Sequence, residues 1–145
     1  MNIRDKLVEL GVKPSEEYYP TQNELPKNVE ELVKIYKHSV LFYDDIIFVP
    51  QYLTGLEDEN KLLSLEVLWG LEEGKFNIFK KNVSLENLEA DEHLYSIGRS
   101  FGGIHICLSK NDDAVYFFVN DSEENTYKIF DNLHSFIEAL EIEVL

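Results

Sequence analysis

The sequence has very little cysteine, since Cys107 is the single thiol among 145 residues. One cysteine cannot form an internal disulfide, which suits a reducing compartment such as the cytosol. Long apolar runs are also missing, because no stretch approaches the roughly 18 apolar residues of a membrane-spanning helix. The opening residues, MNIRDKLVELG, lack the apolar segment of a secretory signal. We therefore expect a soluble, cytoplasmic protein that does not enter a membrane.

Basic residues are scarce. The chain carries 13 Lys and Arg against 28 Asp and Glu, which gives a formal net charge of −15. A surface this acidic repels phosphate backbones and anionic lipid headgroups, so we expect no direct binding to nucleic acid or to a membrane surface. It attracts a basic protein partner over a long range and speeds their encounter. The same charge would also serve solubility alone, so composition leaves both interpretations open.

The length is typical of one domain, and we treat residues 1–145 as a single unit because no repeat or low-complexity linker divides them. Three helices are predicted. The first covers residues 3–10 before Gly11, and the second follows Pro26. The apolar stripe of the second helix is Val29, Leu32, Val33 and Tyr36. The third is C-terminal, with Asp131 as its predicted cap and an apolar face of Leu133, Phe136, Ile137 and Leu140.

Short strands fill most of the remaining chain. IIFVP (46–50) and LSLEVLWG (63–70) come first, and KFNIFK (75–80) is predicted to pair with the second of them as a hairpin. The polar stretch 81–93 is predicted to be an irregular connection. Four further strands follow closely: LYSIG, IHICLS, VYFFVN and TYKIF. Connections this short leave no room for crossover helices, so we expect an α+β domain with an antiparallel sheet of about five to six strands and helices packed on it.

The stretch IGRSFGGIHICLS (97–109) contains Gly98, Gly102 and Gly103. It matches neither the dinucleotide fingerprint nor the P-loop, because no Lys-Ser/Thr follows the glycines and the chain continues into a strand rather than a helix. A Gly-Gly pair between two strands supplies positive φ angles for a turn or a bulge. We therefore predict a bend in the sheet, with Arg99 facing solvent and no cofactor bound.

Catalytic and metal-binding patterns are weak. His105 and Cys107 lie two apart on one predicted strand and share a face, and with His93 and His134 they could form a zinc site. No CxxC or HExxH motif supplies the local ligands of such a site, so we predict no metal. A cysteine within a strand is more often an inert core residue than a nucleophile. We predict that the chain is not an enzyme; a small hydrolase using Cys107 or His105 is the alternative.

Acidic turns and aromatics supply the predicted binding surface. Adjacent acids at 112–113 and 123–124 lie in predicted turns, where such pairs are typical of a solvated face. The aromatic run 116–118 must face both sides of its strand, and an exposed aromatic ringed by acids is typical of a binding surface. We therefore predict a protein-binding site near one end of the sheet, made of Trp69, Asp112, Asp113, Asp121, Glu123 and Glu124.

The order and spacing of several motifs resemble the SUKH superfamily, in particular its Smi/Knr-type members. The motifs are LPKNVEELVKIY (25–36), LEVLWG (65–70), IGRSFGGIHICL (97–108), VYFFVND (115–121) and HSFIEAL (134–140). The resemblance is clear over 94–140 and looser over 21–70, and it is weakest over 1–20, which we interpret as an N-terminal extension. The chain departs from the family pattern at Ile104 and Ser109, where relatives often carry an acid.

The resemblance implies a non-catalytic, SUKH-like α+β domain. It implies that bacterial members are immunity proteins that bind and block polymorphic toxins, often nucleases, and that fungal members regulate the synthesis of cell-wall glucan. We therefore expect an immunity protein whose partner is a basic toxin domain, because a nuclease must attract a polyanionic substrate. A regulator of cell-wall synthesis, or a scaffold protein, is the alternative.

Overall fold

A computed structural model describes residues 2–17, 25–120 and 123–144. Its strands are β1 (Val40–Phe48), β2 (Leu63–Leu68), β3 (Leu94–Arg99), β4 (His105–Ser109), β5 (Val115–Phe118), β6 (Thr126–Phe130) and β7 (Glu141–Ile142). Its helices are α1 (Ile3–Glu9), α2 (Lys27–Tyr36), α3 (Ile78–Asn87) and α4 (Leu133–Ala139). The strands form one antiparallel sheet in the order β6-β5-β4-β3-β2-β1-β7. The predicted α+β class is confirmed, and the described residues form seven strands where about five to six were expected.

Helices cover both faces of the sheet. α1, α2 and α4 bury their apolar sides in the main core, to which α2 contributes the whole of its predicted stripe. α3 packs against β3 on the other face, where Leu85 shares a smaller apolar cluster with Cys107 and Phe118. Successive side chains of β5 alternate between these faces, so that Phe117 lies in the main core and Phe118 in the smaller cluster. The prediction that this aromatic strand faces both ways is confirmed.

The sheet curls so that distant strands approach each other. The backbone N–H of Gln51, just after β1, donates to the carbonyl of Ile129 in β6 at 2.9 Å, although four strands separate β1 from β6 in the sheet. Phe48 fills the space inside this curl, with its ring centroid 5.3 Å from that of Phe136 and 5.8 Å from that of Phe130. Burying such a side chain contributes roughly 2 kcal/mol, so this aromatic cluster helps to hold the curl closed.

The segment that follows β2 differs from its prediction. Residues 75–80 do not form a hairpin strand, and 81–93 is not irregular throughout, because α3 runs through both stretches. The Asn77 side chain caps this helix by accepting the Lys80 backbone N–H at 3.0 Å. Its buried positions, Ile78, Asn82 and Leu85, have helical spacings of four and three. The apparent alternation of KFNIFK was too short to distinguish a strand from the start of a helix.

Two strands and one helix cap also differ in detail. β1 begins at Val40 rather than near Ile46, and β7 is a short strand that the sequence did not predict. α4 is capped by Asn132, whose side chain accepts the Ser135 backbone N–H at 2.8 Å, rather than by Asp131.

Over the described ranges, every helix falls short of the length and apolar character that crossing a bilayer requires.

The turn between β3 and β4 has the predicted form. Gly102 and Gly103 have φ angles of 64° and 77°, in the left-handed region that favours glycine. The backbone N–H of Ser100 donates to the Ile104 carbonyl at 2.8 Å and closes the turn. Ile104 itself is buried in the main core, which accounts for an apolar residue at this position.

Gly98 and Arg99 end β3 in different ways. A Cβ atom at Gly98 would lie only 2.4 Å from the carbonyl oxygen of Val67, so the close approach of β2 to β3 requires glycine at this position. Arg99 is not the solvent-facing turn residue that was predicted. It is the last residue of β3 and half-buried, and its Nε lies 3.3 Å from Oε1 of Glu66 on β2.

Candidate functional site

The predicted acidic residues lie in two separate turns. Asp112 and Asp113 are exposed between β4 and β5, and Glu123 and Glu124 are exposed between β5 and β6. Successive antiparallel strands reverse direction, so these turns lie at opposite ends of β5. The two acidic pairs therefore do not share one end of the sheet as predicted. Asp121 lies outside the described residues.

The two aspartates of the first turn make local contacts. Asp112 accepts a hydrogen bond from the backbone N–H of Ala114 at 3.2 Å, and this bond lowers the pKa of the Asp112 carboxyl. Asp113 has a positive φ of 62° and accepts a hydrogen bond from the side-chain amide of Asn28 at 2.7 Å. These contacts hold the turn and join it to α2.

Trp69 is not part of an exposed surface, because only 1% of it is accessible to solvent. It follows β2 directly, and its backbone N–H donates to the Ile97 carbonyl at 2.9 Å, which continues the pairing of β2 with β3. The indole ring stacks on Phe76 at a centroid distance of 6.0 Å, and the ammonium of Lys81 lies 4.7 Å from the indole centroid. The tryptophan predicted to contact a partner is therefore a packing residue beneath α3.

Ser96 is the centre of a buried polar network. Its hydroxyl accepts a hydrogen bond from Nε1 of Trp69 at 2.8 Å and lies 2.7 Å from Nδ1 of His105. The side chain of Asn82 on α3 bonds both the backbone N–H and the carbonyl of Ser96, at 2.7 and 2.9 Å. Burial, with the charge of Lys81, lowers the pKa of His105 to about 4, so the ring is neutral at neutral pH. The network satisfies buried polar groups and fixes α3 on the sheet.

The residues of the hydrolase alternative are poorly placed for nucleophilic attack. Cys107 is buried, and burial raises the pKa of its thiol far above its usual range, so the reactive thiolate does not form at neutral pH. Ser96 lies beside His105 but is 0% exposed, which closes its hydroxyl to a substrate. His93 and His134 contact other groups on separate elements. In the part of the chain that the structure describes, no three His, Cys, Asp or Glu side chains come together as metal ligands.

A different acidic surface forms where β1 meets β7. β1 pairs with β2 at Leu41 and again at Ile46. Four residues of β1 (42–45) lie between these two positions, whereas only Glu66 of β2 lies between their partners. The excess length makes β1 bulge out of the ladder. Tyr43 is fully exposed on this bulge, and Leu41 beside it is largely exposed. This part of β1 therefore presents an aromatic and an aliphatic side chain to solvent.

Four carboxylates accompany these apolar side chains. Asp44 and Asp45 follow Tyr43 directly, and Glu141 and Glu143 come from β7 and the residues after it. All four are exposed, and among the described residues none of them forms an ion pair with Lys, Arg or His. We call this surface the acidic edge, defined by Leu41, Tyr43, Asp44, Asp45, Glu141 and Glu143.

The sequence prediction missed the acidic edge because the first strand was predicted to begin at Ile46, which left Asp44 and Asp45 outside the sheet. A usable signal was present in LFYDD, where an aromatic residue directly precedes two acids. The contribution of β7 had no such signal, since a strand of two residues has no periodicity to detect.

Comparisons of the chain with protein-family models, with curated proteins and with solved structures found no match. The SUKH resemblance therefore stays a prediction based on the motifs themselves.

Proposed function

We propose that this chain is a non-catalytic, protein-binding domain that acts as an immunity protein, neutralising a basic toxin by direct binding. The acidic edge carries the proposal, because it combines a fully exposed tyrosine with four carboxylates that lack a cationic partner among the described residues. The net charge of −15 and the SUKH-like motifs support the same function.

The parts of the acidic edge suit different steps of binding. Uncompensated carboxylates attract a positively charged partner and raise the association rate. Tyrosine is enriched among the residues that dominate interface energetics, because it buries a large rigid ring and keeps a polar hydroxyl. Leu41 adds apolar area next to Tyr43. The acids would therefore govern the rate of encounter, and Tyr43 would govern the lifetime of the complex.

The chemistry of a nuclease toxin explains why such an edge would inhibit it. A nuclease needs a positively charged surface to attract its polyanionic substrate. An acidic protein docked on that surface would occupy the same electrostatic field and exclude the nucleic acid. Inhibition by this route needs no chemistry from the inhibitor, which fits the buried positions of Cys107 and Ser96.

Co-expression tests this function. The products of the adjacent genes would first be expressed alone to find one that stops growth. That product would then be expressed with this chain, and with a triple variant of the acidic edge, Tyr43→Ala, Asp44→Asn and Asp45→Asn. We expect the native chain to restore growth and the variant to fail.

The matched control is the double variant Glu123→Gln and Glu124→Gln, which also removes acidic charge but changes a turn away from β1. It should restore growth as the native chain does. Failure of the native chain to restore growth would reject the immunity function, and full rescue by the edge variant would reject the acidic edge as the binding surface.

A further inference from the structure

Three cations lie over two stacked aromatic rings beside α3. The rings of Trp69 and Phe76 lie 18° from parallel at a centroid distance of 6.0 Å. The ammonium of Lys81 lies 4.7 Å from the indole centroid, and that of Lys75 lies 4.9 Å from the phenyl centroid. The guanidinium carbon of Arg99 lies 5.9 Å from the same phenyl centroid. We call Lys75, Lys81 and Arg99 the cation cluster.

The cation cluster has an excess of positive charge on a strongly acidic protein. Its one carboxylate partner in the described chain is Glu66, which lies 3.3 Å from Nε of Arg99. Neither lysine pairs with a carboxylate of the described residues, although the chain has 28 acidic residues available. Three cations and one carboxylate leave an excess of two positive charges at this position.

Lys81 lies over the indole ring of Trp69, but two other features of its position disfavour a cation. It lies near the N-terminus of α3, where the helix dipole disfavours cations, and the first turn of this helix contains no acidic residue. Partial burial of Lys81, with the nearby charges of Arg99 and Lys75, lowers the pKa of its ammonium. A bound anion would compensate both the helix dipole and the repulsion among the three cations.

We propose that the cation cluster is a binding site for a phosphate group. An excess of two positive charges matches a phosphate dianion better than it matches a single carboxylate. Arginine and lysine are the side chains that donate charge-assisted hydrogen bonds to phosphate oxygens. Phe76 is partly exposed, so a phosphate ester with an aromatic group could also contact its ring. The site uses α3 and β3 rather than the acidic edge, and it does not depend on the proposed function.

Titration with inorganic phosphate tests the site, followed by the backbone amide resonances in two-dimensional NMR spectra. We expect saturable shifts at Phe76, Lys81 and Arg99, and no comparable shifts with sodium chloride at equal ionic strength. Lys81→Gln should weaken binding about tenfold, because it removes a charge-assisted hydrogen bond. Lys75→Gln should also weaken binding, and its exposed position leaves the fold intact.

The matched control is Lys80→Gln, an exposed lysine next to Lys81 that contacts neither ring. Its affinity for phosphate should stay within about twofold of the native chain.

Tighter binding of phenyl phosphate than of inorganic phosphate would identify a phosphate ester as the ligand, and equal binding would identify the free ion. Shifts that do not saturate, or equal weakening by Lys80→Gln and Lys81→Gln, would overturn the proposal.

Discussion

Asp45 on β1 lies directly opposite Glu143, whose backbone N–H donates to the Asp45 carbonyl at 2.9 Å. Two carboxylates therefore occupy facing positions at the edge of the sheet. Like charges in facing positions destabilise a pair of strands, so we expect this arrangement to cost stability. Such a cost is consistent with a surface whose charges serve binding.

Asp45→Asn should stabilise the isolated protein, because it removes this repulsion while keeping the shape of the side chain. We expect the free energy of unfolding in urea to rise by about 0.5 kcal/mol at low salt, and the gain to shrink as salt is added. Glu123→Gln is the control for a simple change of net charge and should have a smaller effect. A loss of stability on substituting Asp45 would show that the facing carboxylates do not repel each other.

Ser96→Ala should destabilise the fold strongly, because it removes the acceptor of the Trp69 indole N–H and the partner of His105. Leaving such buried groups unsatisfied costs about 2 kcal/mol, measurable by urea unfolding followed through tryptophan fluorescence. Ser84→Ala, at an exposed position of α3, should change the stability by less than about 0.5 kcal/mol. Equal effects of the two variants would contradict the structural role of the network.

Gly98→Ala should be far more damaging than Gly102→Ala. The added methyl group at Gly98 would meet the Val67 carbonyl oxygen at 2.4 Å and force β2 away from β3, at a cost of about 3 kcal/mol. At Gly102 the added methyl group meets open space, and the cost is the positive φ alone, about 1 kcal/mol. Thermal unfolding of both variants measures the difference. Similar losses would mean that β2 and β3 do not approach as closely as described.

Stability should fall on mild acidification because of His105. Burial and the charge of Lys81 lower its pKa from 6.5 to about 4, so between these values the unfolded chain takes up a proton that the folded protein does not. The free energy of unfolding therefore decreases as pH falls through this window, by at most about 1.4 kcal/mol per pH unit from this group.

Urea unfolding at several pH values compares the native chain with His105→Asn, which retains a polar side chain near Ser96. The variant should show a shallower dependence on pH than the native chain. An unchanged slope in His105→Asn would contradict the burial of this ring.

Helices and strands could be predicted best from the sequence where the local pattern of apolar residues agrees with the packing of the element. The stripe of α2 and the close spacing of the four strands between 94 and 130 both correspond to elements of the structure. α3 was missed because a short alternation of apolar residues is compatible with both helix and strand, and the cap at Asn77 decides between them.

The binding surface could be predicted less well because it depends on long-range packing. Whether Trp69 is exposed depends on α3 covering it, and α3 was not predicted. The acidic edge depends on a bulge in β1 and on the pairing of β1 with β7, which joins residues about a hundred positions apart. Local sequence patterns contain no information about either arrangement.

The acidic edge is tested most directly by the binding kinetics of this chain with the purified toxin whose effect it suppresses, measured at low and high salt. Asp44→Asn with Asp45→Asn should slow association and weaken its salt dependence, and Tyr43→Ala should speed dissociation by about tenfold or more. The control Glu123→Gln with Glu124→Gln should bind as the native chain does. Native association and dissociation rates in both acidic-edge variants would contradict the account.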